Sequence, residues 1–238
     1  MSFYNDISSY YSSIFPLNTN QVDFVLSSVS DLKNKTLLDI GCATGEFAAY
    51  LARHFGSVTG IDLDTGMINK ARIKNSLSNL RFENLNMLNI ASEYEEDSFD
   101  VIVCFGNTLV HLESAGEIFD FLCQSKKVLK PAGRLIIQII NYDRIIDNGI
   151  NCLPVIENEN IRFERTYENI ENKIIFKNTL SVKKNNSTIA NCIELYPIRR
   201  SEFEMLLKKA GFNDVVFYGS FKKEKPGEQS FHLVSVVF

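Results

Sequence analysis

The chain has 238 residues, of which 45% are hydrophobic and 23% are charged, and its formal net charge is −4 at pH 7. This composition is typical of a globular protein, so it excludes a disordered or fibrous chain. The negative charge argues against a nucleic-acid binder, because such proteins usually present a basic surface. Since a chain of this length can bury a large core, we predict one domain over residues 1–238.

The cysteines lie at positions 42, 104, 123, 152 and 192, an odd set without a close pair. This pattern favours reduced thiols over a disulfide framework or a metal site, so we predict a cytoplasmic protein that binds no metal. The start of the chain lacks the basic and apolar parts of a signal peptide, and no apolar run is long enough to cross a bilayer. We therefore predict no export and no membrane association.

Along the first part of the chain, apolar runs predict strands at residues 36–40, 57–62, 80–85, 99–105 and 134–140. Helical patterns lie between them. Asp64 is placed to cap one helix, and another over residues 117–130 is expected to end at Pro131 and Gly133. Strands that alternate with helices indicate an α/β fold, here a Rossmann-like, doubly wound and mainly parallel sheet.

The pattern changes after Tyr142. Residues 161–196 contain β-rich runs separated by Asn-rich breaks, which predicts a small antiparallel β insertion. Ser201 and Glu204 have the spacing of a capping box, so a helix is expected to begin there and to stop before Gly211. Residues 215–219 and 231–238 then predict an antiparallel C-terminal hairpin that completes a seven-stranded sheet.

These elements divide the predicted domain into consecutive segments. They are an N-terminal cap segment (1–35), a ligand-binding core (36–143), the antiparallel β excursion (144–200), and the last helix with the closing strands (201–238).

The stretch LLDIGCATGEF joins the first strand to the first core helix through a turn of small residues. The small residues Gly41, Ala43 and Gly45 allow a ligand to approach the backbone. Asp62 ends the next strand, where it can accept hydrogen bonds from the hydroxyls of a ribose. The spacing G-x-A-x-G differs from that of nicotinamide-binding turns. Asp39 would repel a pyrophosphate but balance a cationic amino group. The turn therefore favours a sulfonium nucleoside over a nicotinamide dinucleotide.

The segments LLDIGCATG, GIDLD, FDVIVCF and LKPAGRLII, in this order, resemble those of class I S-adenosylmethionine-dependent methyltransferases. CFGNTLVHL and the N-Y-D at 141–143 are similar to the glycine N-methyltransferase-like small-molecule branch. The resemblance implies S-adenosylmethionine as cofactor, S-adenosylhomocysteine as product, and in-line methyl transfer to a small molecule, more readily on nitrogen. Ile140 replaces the arginine that grips the substrate carboxylate in that branch, so glycine itself is not the expected acceptor.

The same resemblance implies the site residues. Those expected around the cofactor are Tyr11, Asp39, Gly41, Cys42, Ala43, Thr44, Gly45, Asp62, Leu63, Met67, Asn86, Met87, Leu88, Phe105 and Gly106. Those expected at the acceptor are Asn107, His111, Asn141 and Tyr142. The β excursion (144–200) and the N-terminal segment vary most freely on such a core, so we expect them to form the acceptor lid, with Arg162 and Tyr167 lining it. Asn107 would orient the acceptor through its carbonyl or cover the amino-acid end of the cofactor. His111 would act as a base, position the acceptor, or bond a neighbouring loop. Tyr4 and Tyr10 would cover the cofactor together with Tyr11 or serve as core aromatics.

Several alternatives stay open from sequence alone. The acceptor atom could be oxygen, or the chain could be a non-catalytic regulator that binds the cofactor or its product. A nicotinamide-dependent oxidoreductase is disfavoured by the turn. A nucleic-acid adenine methylator is disfavoured because no N-P-P-Y-like segment follows the fourth strand. We expect a small-molecule partner, no nucleic acid and no membrane, and either a monomer or a homo-oligomer.

Overall fold

A computed structural model describes residues 7–238 of the chain. Its strands are β1 (Thr36–Ile40), β2 (Ser57–Asp62), β3 (Leu80–Asn84), β4 (Phe99–Cys104), β5 (Leu129–Ile140), β6 (Cys152–Glu157), β7 (Ile161–Ile170), β8 (Lys173–Val182), β9 (Ser187–Leu195), β10 (Val215–Tyr218) and β11 (His232–Val237). Its α-helices are α1 (Tyr11–Ile14), α2 (Thr19–Ser28), α3 (Glu46–Ala52), α4 (Thr65–Lys74), α5 (Ile90–Glu93), α6 (Ala115–Val128), α7 (Tyr142–Asp147) and α8 (Arg200–Lys209). Short 3₁₀ turns lie at Leu32–Asn34, Met87–Asn89 and Thr108–His111.

The central sheet has seven strands in the order β10-β11-β5-β4-β1-β2-β3. Strands β1 to β5 run parallel, whereas β11 is antiparallel to β5 and β10 is antiparallel to β11. This confirms the predicted Rossmann-like α/β fold with its C-terminal hairpin. Strand β1 lies between β2 and β4, so the chain order reverses there, and ligand sites in open α/β sheets form at such points.

Helices cover both faces of the central sheet because successive residues of a strand point to opposite sides. Leu37 belongs to an apolar core that includes residues of α2, α3 and α4. Leu38 belongs to the opposite core, with residues of α5, α6 and α8. Strand β1 is therefore apolar almost without interruption, and its one carboxylate, Asp39, is buried with it.

Strands β6 to β9 form a separate antiparallel sheet of four strands, which we call the insertion sheet. The N-terminal segment packs against it, and Ile7 and Ile14 share an apolar cluster with Phe163 and Leu180. Burial alternates along β9, as expected for a sheet with one covered face. The insertion sheet falls within the predicted excursion, residues 144–200.

Several local predictions agree with the structure. Strands β1 and β2 have the predicted bounds. The Asp64 side chain caps α4, because its Oδ1 accepts a hydrogen bond of 2.9 Å from the Met67 N–H. Gly211 follows α8 with φ +88°, a backbone conformation that favours glycine.

Two predicted helix ends are wrong. Helix α6 ends at Val128, and Pro131 and Gly133 lie inside β5. Strand β5 bulges there, because Phe99 pairs with Leu129 whereas Val101 pairs with Arg134. Helix α8 begins at Arg200, and the residue before it makes no capping hydrogen bond through its side chain. Ser201 therefore lies inside the helix and does not cap it.

Tyr4, named above as a cover for the cofactor, lies outside the described residues. In the range 7–238, no helix has both the length and the apolar character needed to cross a bilayer.

Candidate active site

Two adjoining cavities open at the carboxyl ends of β1, β2 and β4. The core cavity, of about 680 Å³, lies beside β2 and the start of α4. The insertion cavity, of about 640 Å³, lies between the central sheet, the N-terminal segment and the insertion sheet. The residues that line both cavities are Tyr11, Gly41, Ala43, Gly106, Thr108 and His111. The cavities therefore meet beside Gly106, one of the residues predicted to contact the cofactor.

The turn after β1 is held by backbone hydrogen bonds. The N–H groups of Gly41 and Cys42 both donate to the Ile61 carbonyl, at 2.8 and 2.9 Å. Gly45 has φ +81°, and a Cβ atom there would lie 2.5 Å from the Phe82 ring. Gly45 is thus required by packing inside the protein and, contrary to our expectation, does not line either cavity.

Asp39 lies one residue before the end of β1 and is only 3% exposed. Its Oδ2 atom is buried without a hydrogen-bond partner. Burial, and after it the negative charge of Asp62, raises the pKa of Asp39 to about 7. A buried carboxylate needs a compensating cation, so this side chain fits the amino group of the expected cofactor.

Asp62 ends β2 and lines the core cavity. Its Oδ2 accepts from the Ala43 N–H and its Oδ1 accepts from the Asp64 N–H, both at 2.9 Å. Burial raises the pKa of Asp62, whereas these backbone hydrogen bonds lower it. Each carboxylate oxygen keeps a second lone pair, so the oriented side chain can also accept hydrogen bonds from the two hydroxyls of a ribose.

Tyr11 closes the cleft from the N-terminal segment and lines both cavities. Burial raises the pKa of Tyr11, and the charges of Asp62, Glu46 and Asp39 raise it further. The phenol is therefore protonated and faces a carboxylate-rich wall. Its role over the cofactor stays a prediction.

The far end of the core cavity is lined by residues that follow β2 and β3. Leu63 is largely exposed and Met67 is buried. The side-chain oxygen of Asn86 accepts from the Leu88 N–H at 2.9 Å and so caps the 3₁₀ turn that carries Met87. One lone pair of Asn86 is therefore committed to the protein, and the other stays available to an adenine amino group.

Phe105 and Gly106 follow β4 at the junction of the cavities. Gly106 has φ +71°, and a Cβ atom built there would meet nothing within 4 Å. Its N–H donates to Gln138 Oε1 at 2.9 Å. The open space above this fixed backbone turn can hold a ligand. This space and the unpaired oxygen of Asp39 fit the expected cofactor.

Asn107 also adopts a left-handed conformation, with φ +69°. Its Oδ1 accepts from the Ile140 N–H and its Nδ2 donates to the Tyr142 hydroxyl, both at 2.9 Å. The amide thus joins the ends of β4 and β5. One lone pair of the Asn107 carbonyl is therefore committed to the backbone of β5, and the predicted contact of this amide with the acceptor or the cofactor stays a prediction.

His111 ends the 3₁₀ turn after β4 and lines both cavities. Burial lowers the pKa of His111 to about 4, so the imidazole is neutral near pH 7. A base works best when its pKa lies near the working pH, and this pKa makes His111 a weak one. Its position and neutrality suit a hydrogen-bonding contact with an uncharged acceptor better than proton removal.

The insertion cavity is lined mainly by apolar and aromatic side chains. Those from the insertion sheet are Leu153, Phe163, Arg165, Tyr167, Phe176 and Leu195. The Tyr142 hydroxyl forms a hydrogen bond with the Tyr167 hydroxyl, and burial raises the pKa of Tyr167. Asn107, Tyr142 and Tyr167 therefore form one hydrogen-bonded chain that ends at the cavity.

Some predicted site residues line neither cavity. Thr44 is fully buried, and its hydroxyl donates to Glu46. Asn141 caps α7, and Tyr142 lies behind Asn107 in the core. The guanidinium of Arg162 pairs with Glu157 and Glu164. These placements correct the corresponding predictions.

Sequence reasoning missed other residues that line the insertion cavity. They include Phe47, Thr108, Gln138, Phe231 and His232. Gln138 had a visible signal, because it is the one polar residue in the buried run LIIQII. His232 lies 3.2 Å from Gln138, from its Nδ1 to the amide Nε2, and this proximity across β5 and β11 follows from the sheet register.

Residues 31–211 match a family model described as a methyltransferase domain. A glycine/sarcosine N-methyltransferase from Aphanothece halophytica is 24% identical over 214 residues, which is 87% of this chain and 77% of that protein. A ubiquinone biosynthesis O-methyltransferase from Hydrogenovibrio crunogenus is 27% identical over 138 residues, which is 57% of this chain and 55% of that protein.

The fold is also similar to that of solved structures. An S-adenosylmethionine-dependent methyltransferase from Clostridium acetobutylicum superposes with a TM-score of 0.81 at 16% identity. The match covers 99% of this chain and 98% of that structure, so it includes the insertion sheet as well as the core.

Proposed function

We propose that this chain, which belongs to the methyltransferase domain family, transfers a methyl group from S-adenosylmethionine to a nitrogen atom of a small molecule. The chain is an S-adenosylmethionine-dependent methyltransferase, and the fold carries the cofactor site at the switch point of its sheet. The acceptor class and the acceptor atom are our inference.

The observation that carries the proposal is the junction of the two cavities at Gly41, Gly106 and His111. One cavity presents Asp62 and the other presents Asp39. The insertion cavity, at about 640 Å³, lies in the range of roughly 300–1,000 Å³ that is usual for small-molecule sites. The nucleoside would lie beside Asp62 in the core cavity, and the amino-acid end of the cofactor would reach Asp39 in the insertion cavity. A small acceptor in the insertion cavity would then meet the cofactor at this junction.

Within this arrangement Asp39 would hold the amino group of the cofactor and Asp62 its ribose. When bound, S-adenosylmethionine supplies an activated methyl group. The protein's contribution is alignment of the acceptor, and well-oriented reactions of this kind gain on the order of 7–11 kcal/mol. Gly106, fixed by Gln138, and Asn107, fixed by Ile140 and Tyr142, give the junction a rigid floor.

A neutral amine acceptor has to lose a proton when it is methylated. His111 is uncharged near pH 7 and faces the junction, so it can accept a hydrogen bond from an amine N–H. Because the pKa of His111 is about 4, we propose that His111 orients the lone pair of the acceptor nitrogen. The proton of the amine is then released to solvent.

A nitrogen acceptor is favoured over an oxygen acceptor because the alignment with an N-methyltransferase is longer than the alignment with an O-methyltransferase. The alignment with the glycine/sarcosine N-methyltransferase spans 87% of this chain, enough to include part of the insertion sheet, whereas the O-methyltransferase aligns over 57%. Ile140, in place of an arginine, argues against glycine as the acceptor. Oxygen methylation is the second candidate, because the O-methyltransferase is also a relative.

The test uses S-adenosylmethionine labelled on its methyl group, incubated with the purified protein and a cell extract split into small-molecule and macromolecular fractions. We expect label in a small molecule, at a carbon bonded to nitrogen by NMR. Label on oxygen would establish the second candidate, and label only on macromolecules would refute the proposal. Asp62→Ala serves as the control variant, since it should lower transfer by weakening cofactor binding.

A further inference from the structure

A row of polar side chains crosses the covered face of the insertion sheet. Arg165 on β7 pairs directly with Asn178 on β8, and Asn178 pairs directly with Asn191 on β9. Directly paired residues of antiparallel strands project to the same face, with Cβ atoms roughly 4.5–5.5 Å apart. We call these three residues the polar row.

The polar row contains buried hydrogen-bonding atoms that find no partner in the described part of the chain. Arg165 Nε, both side-chain polar atoms of Asn178, and Asn191 Nδ2 are buried without hydrogen-bond partners. Leaving a buried donor or acceptor unpaired costs about 1–3 kcal/mol, and such groups in a native fold call for an explanation.

The rows on either side of the polar row are apolar, so the polar row interrupts an otherwise apolar face. One contains Phe163 and Leu180, and the other contains Tyr167 and Phe176. An apolar residue at position 178 would continue the pattern and would leave no amide unpaired. The covered face therefore carries a polar strip that packing alone does not require.

Arg165 connects this row to the insertion cavity, which it lines. One of its terminal nitrogens, Nη2, donates to the Pro154 carbonyl at 2.7 Å. No acidic side chain of residues 7–238 forms an ion pair with it. Arg162, three positions earlier on the same strand, is paired with Glu157 and Glu164. Within residues 7–238, the strand thus has one compensated arginine, and one at the wall of the cavity whose charge lacks a counter-ion.

We propose that the methyl acceptor carries an oxyanion, a carboxylate or a phosphoryl group, which binds to Arg165 in the insertion cavity. Asn178 and Asn191 are positioning residues that lie in the same row as Arg165 and complete its hydrogen bonding when the anion is present. The aromatic and aliphatic side chains around the cavity indicate that the rest of the acceptor is apolar. This inference rests on the proposed function, since it specifies the substrate of the same site.

The experiment measures binding of small probes to the protein loaded with S-adenosylhomocysteine, by titration followed by NMR. The probes are benzoate, phenyl phosphate and the uncharged benzyl alcohol. We expect one of the anions to bind at least tenfold more tightly than benzyl alcohol, and the stronger of the two identifies the kind of oxyanion. Arg165→Gln should weaken that anion at least tenfold and leave benzyl alcohol unchanged, whereas Arg165→Lys should keep part of the preference.

Arg162→Gln is the matched control, because it removes the same charge from the same strand and should leave all three probes unchanged. Thermal unfolding and S-adenosylhomocysteine affinity of each variant report whether the fold and the core cavity are intact. The inference is overturned if benzyl alcohol binds as tightly as the anions, if no anion binds saturably, or if Arg165→Gln and Arg162→Gln behave alike.

The binding assay does not depend on turnover, so the two proposals fail separately. Anion binding through Arg165 without methyl transfer to any small molecule would support this inference and refute the proposed function. Transfer to a small molecule that lacks an oxyanion would support the proposed function and refute this inference.

Discussion

The central sheet and the insertion sheet bring their functional side chains together in different ways. In the central sheet, Asp39 and Asp62 lie near the carboxyl ends of neighbouring parallel strands, β1 and β2. In the insertion sheet, Arg165 and Asn178 lie in the middle of antiparallel strands, and only the register of β7 with β8 places them side by side. The first arrangement depends on where strands end and the second on how strands pair.

This difference separates two functions within one cleft. The core cavity is built from backbone turns that hold carboxylates, such as the Ala43 N–H that orients Asp62. The insertion cavity is lined in part by side chains of a sheet that packs against both the N-terminal segment and the core around β5. Changes in the core should therefore alter folding or cofactor binding, whereas changes to the insertion-sheet side chains that line the cavity should alter acceptor binding and leave cofactor binding intact.

The largest effect is a loss of stability, which we expect for Gly45→Ala. This substitution tests whether the fold depends on the turn after β1. The substitution places a Cβ atom 2.5 Å from the buried Phe82 ring at a residue with φ +81°. Backbone strain and overpacking together should lower the free energy of unfolding by about 3 kcal/mol. Urea unfolding measures this change.

Gly116→Ala is the control for that experiment. Gly116 lies in the first turn of α6, where a Cβ atom would approach only Ser114 Oγ, at 3.5 Å. Alanine there should stabilise the protein by about 0.5–1 kcal/mol. Equal stability of Gly45→Ala and wild type would show that the turn tolerates a side chain.

The next effect is expected for Asp62→Ala, which should weaken S-adenosylmethionine binding at least about tenfold, or ~1.4 kcal/mol. The reason is loss of the oriented carboxylate in the core cavity. Calorimetric titration measures the affinity, and Asp23→Ala, an exposed carboxylate on α2, is the control. Unchanged affinity would refute the ribose assignment, and altered probe binding in the insertion cavity would contradict the separation of functions.

A somewhat smaller effect is expected from pH. The pKa of Asp39 is raised to about 7 by burial and by Asp62, with Tyr11, Cys42 and Cys104 also near it. Only the charged carboxylate balances the cofactor's amino group. Because protonation of one group changes affinity by at most about tenfold per pH unit, we expect S-adenosylmethionine to bind about tenfold more weakly at pH 6 than at pH 8. Asp39→Asn should bind more weakly at pH 8 and show a flatter pH profile.

Stability of the cofactor-free protein should change in the opposite direction with pH. The folded-state pKa of Asp39 is above its ordinary value of 3.8, so the unfolded chain loses this proton first as the pH rises. Asp39 therefore destabilises the fold progressively between about pH 4 and pH 7. Urea unfolding of wild type and Asp39→Asn across this range should converge at low pH. A constant difference between them would contradict the raised pKa.

The core was largely predictable because its signals are local in sequence. The apolar runs predicted β1 and β2, and the turn of small residues led to Asp39 and Asp62. The packing role of Gly45 was not predicted, because the missing side chain makes room for Phe82, which lies 37 positions further along the chain. Such a contact depends on tertiary packing and leaves no local pattern.

The polar row was not predictable for a related reason. Arg165, Asn178 and Asn191 are each 13 positions apart, and within one strand each resembles an ordinary polar residue of a half-covered sheet. Sequence analysis selected Arg162 for the site, although it and Arg165 project to opposite faces of β7. Choosing between them requires the exact phase of the strand, since a shift of one residue exchanges the two faces.

The smallest effect is a change in stability, which we expect for Asn178→Leu. Loss of this amide in the insertion sheet should stabilise the protein, whereas loss of a paired amide in the core should destabilise it. Both amide atoms of Asn178 are buried without partners, so an apolar side chain of similar size should raise the free energy of unfolding by about 1 kcal/mol. Asn141→Leu in the core is the matched control. Its amide donates to the Ser230 carbonyl at 3.1 Å and accepts from the Arg144 N–H, so its loss should destabilise the fold. Destabilisation by Asn178→Leu as well would mean that the protein itself pairs this amide, and the polar row would then be part of the scaffold rather than of the acceptor site.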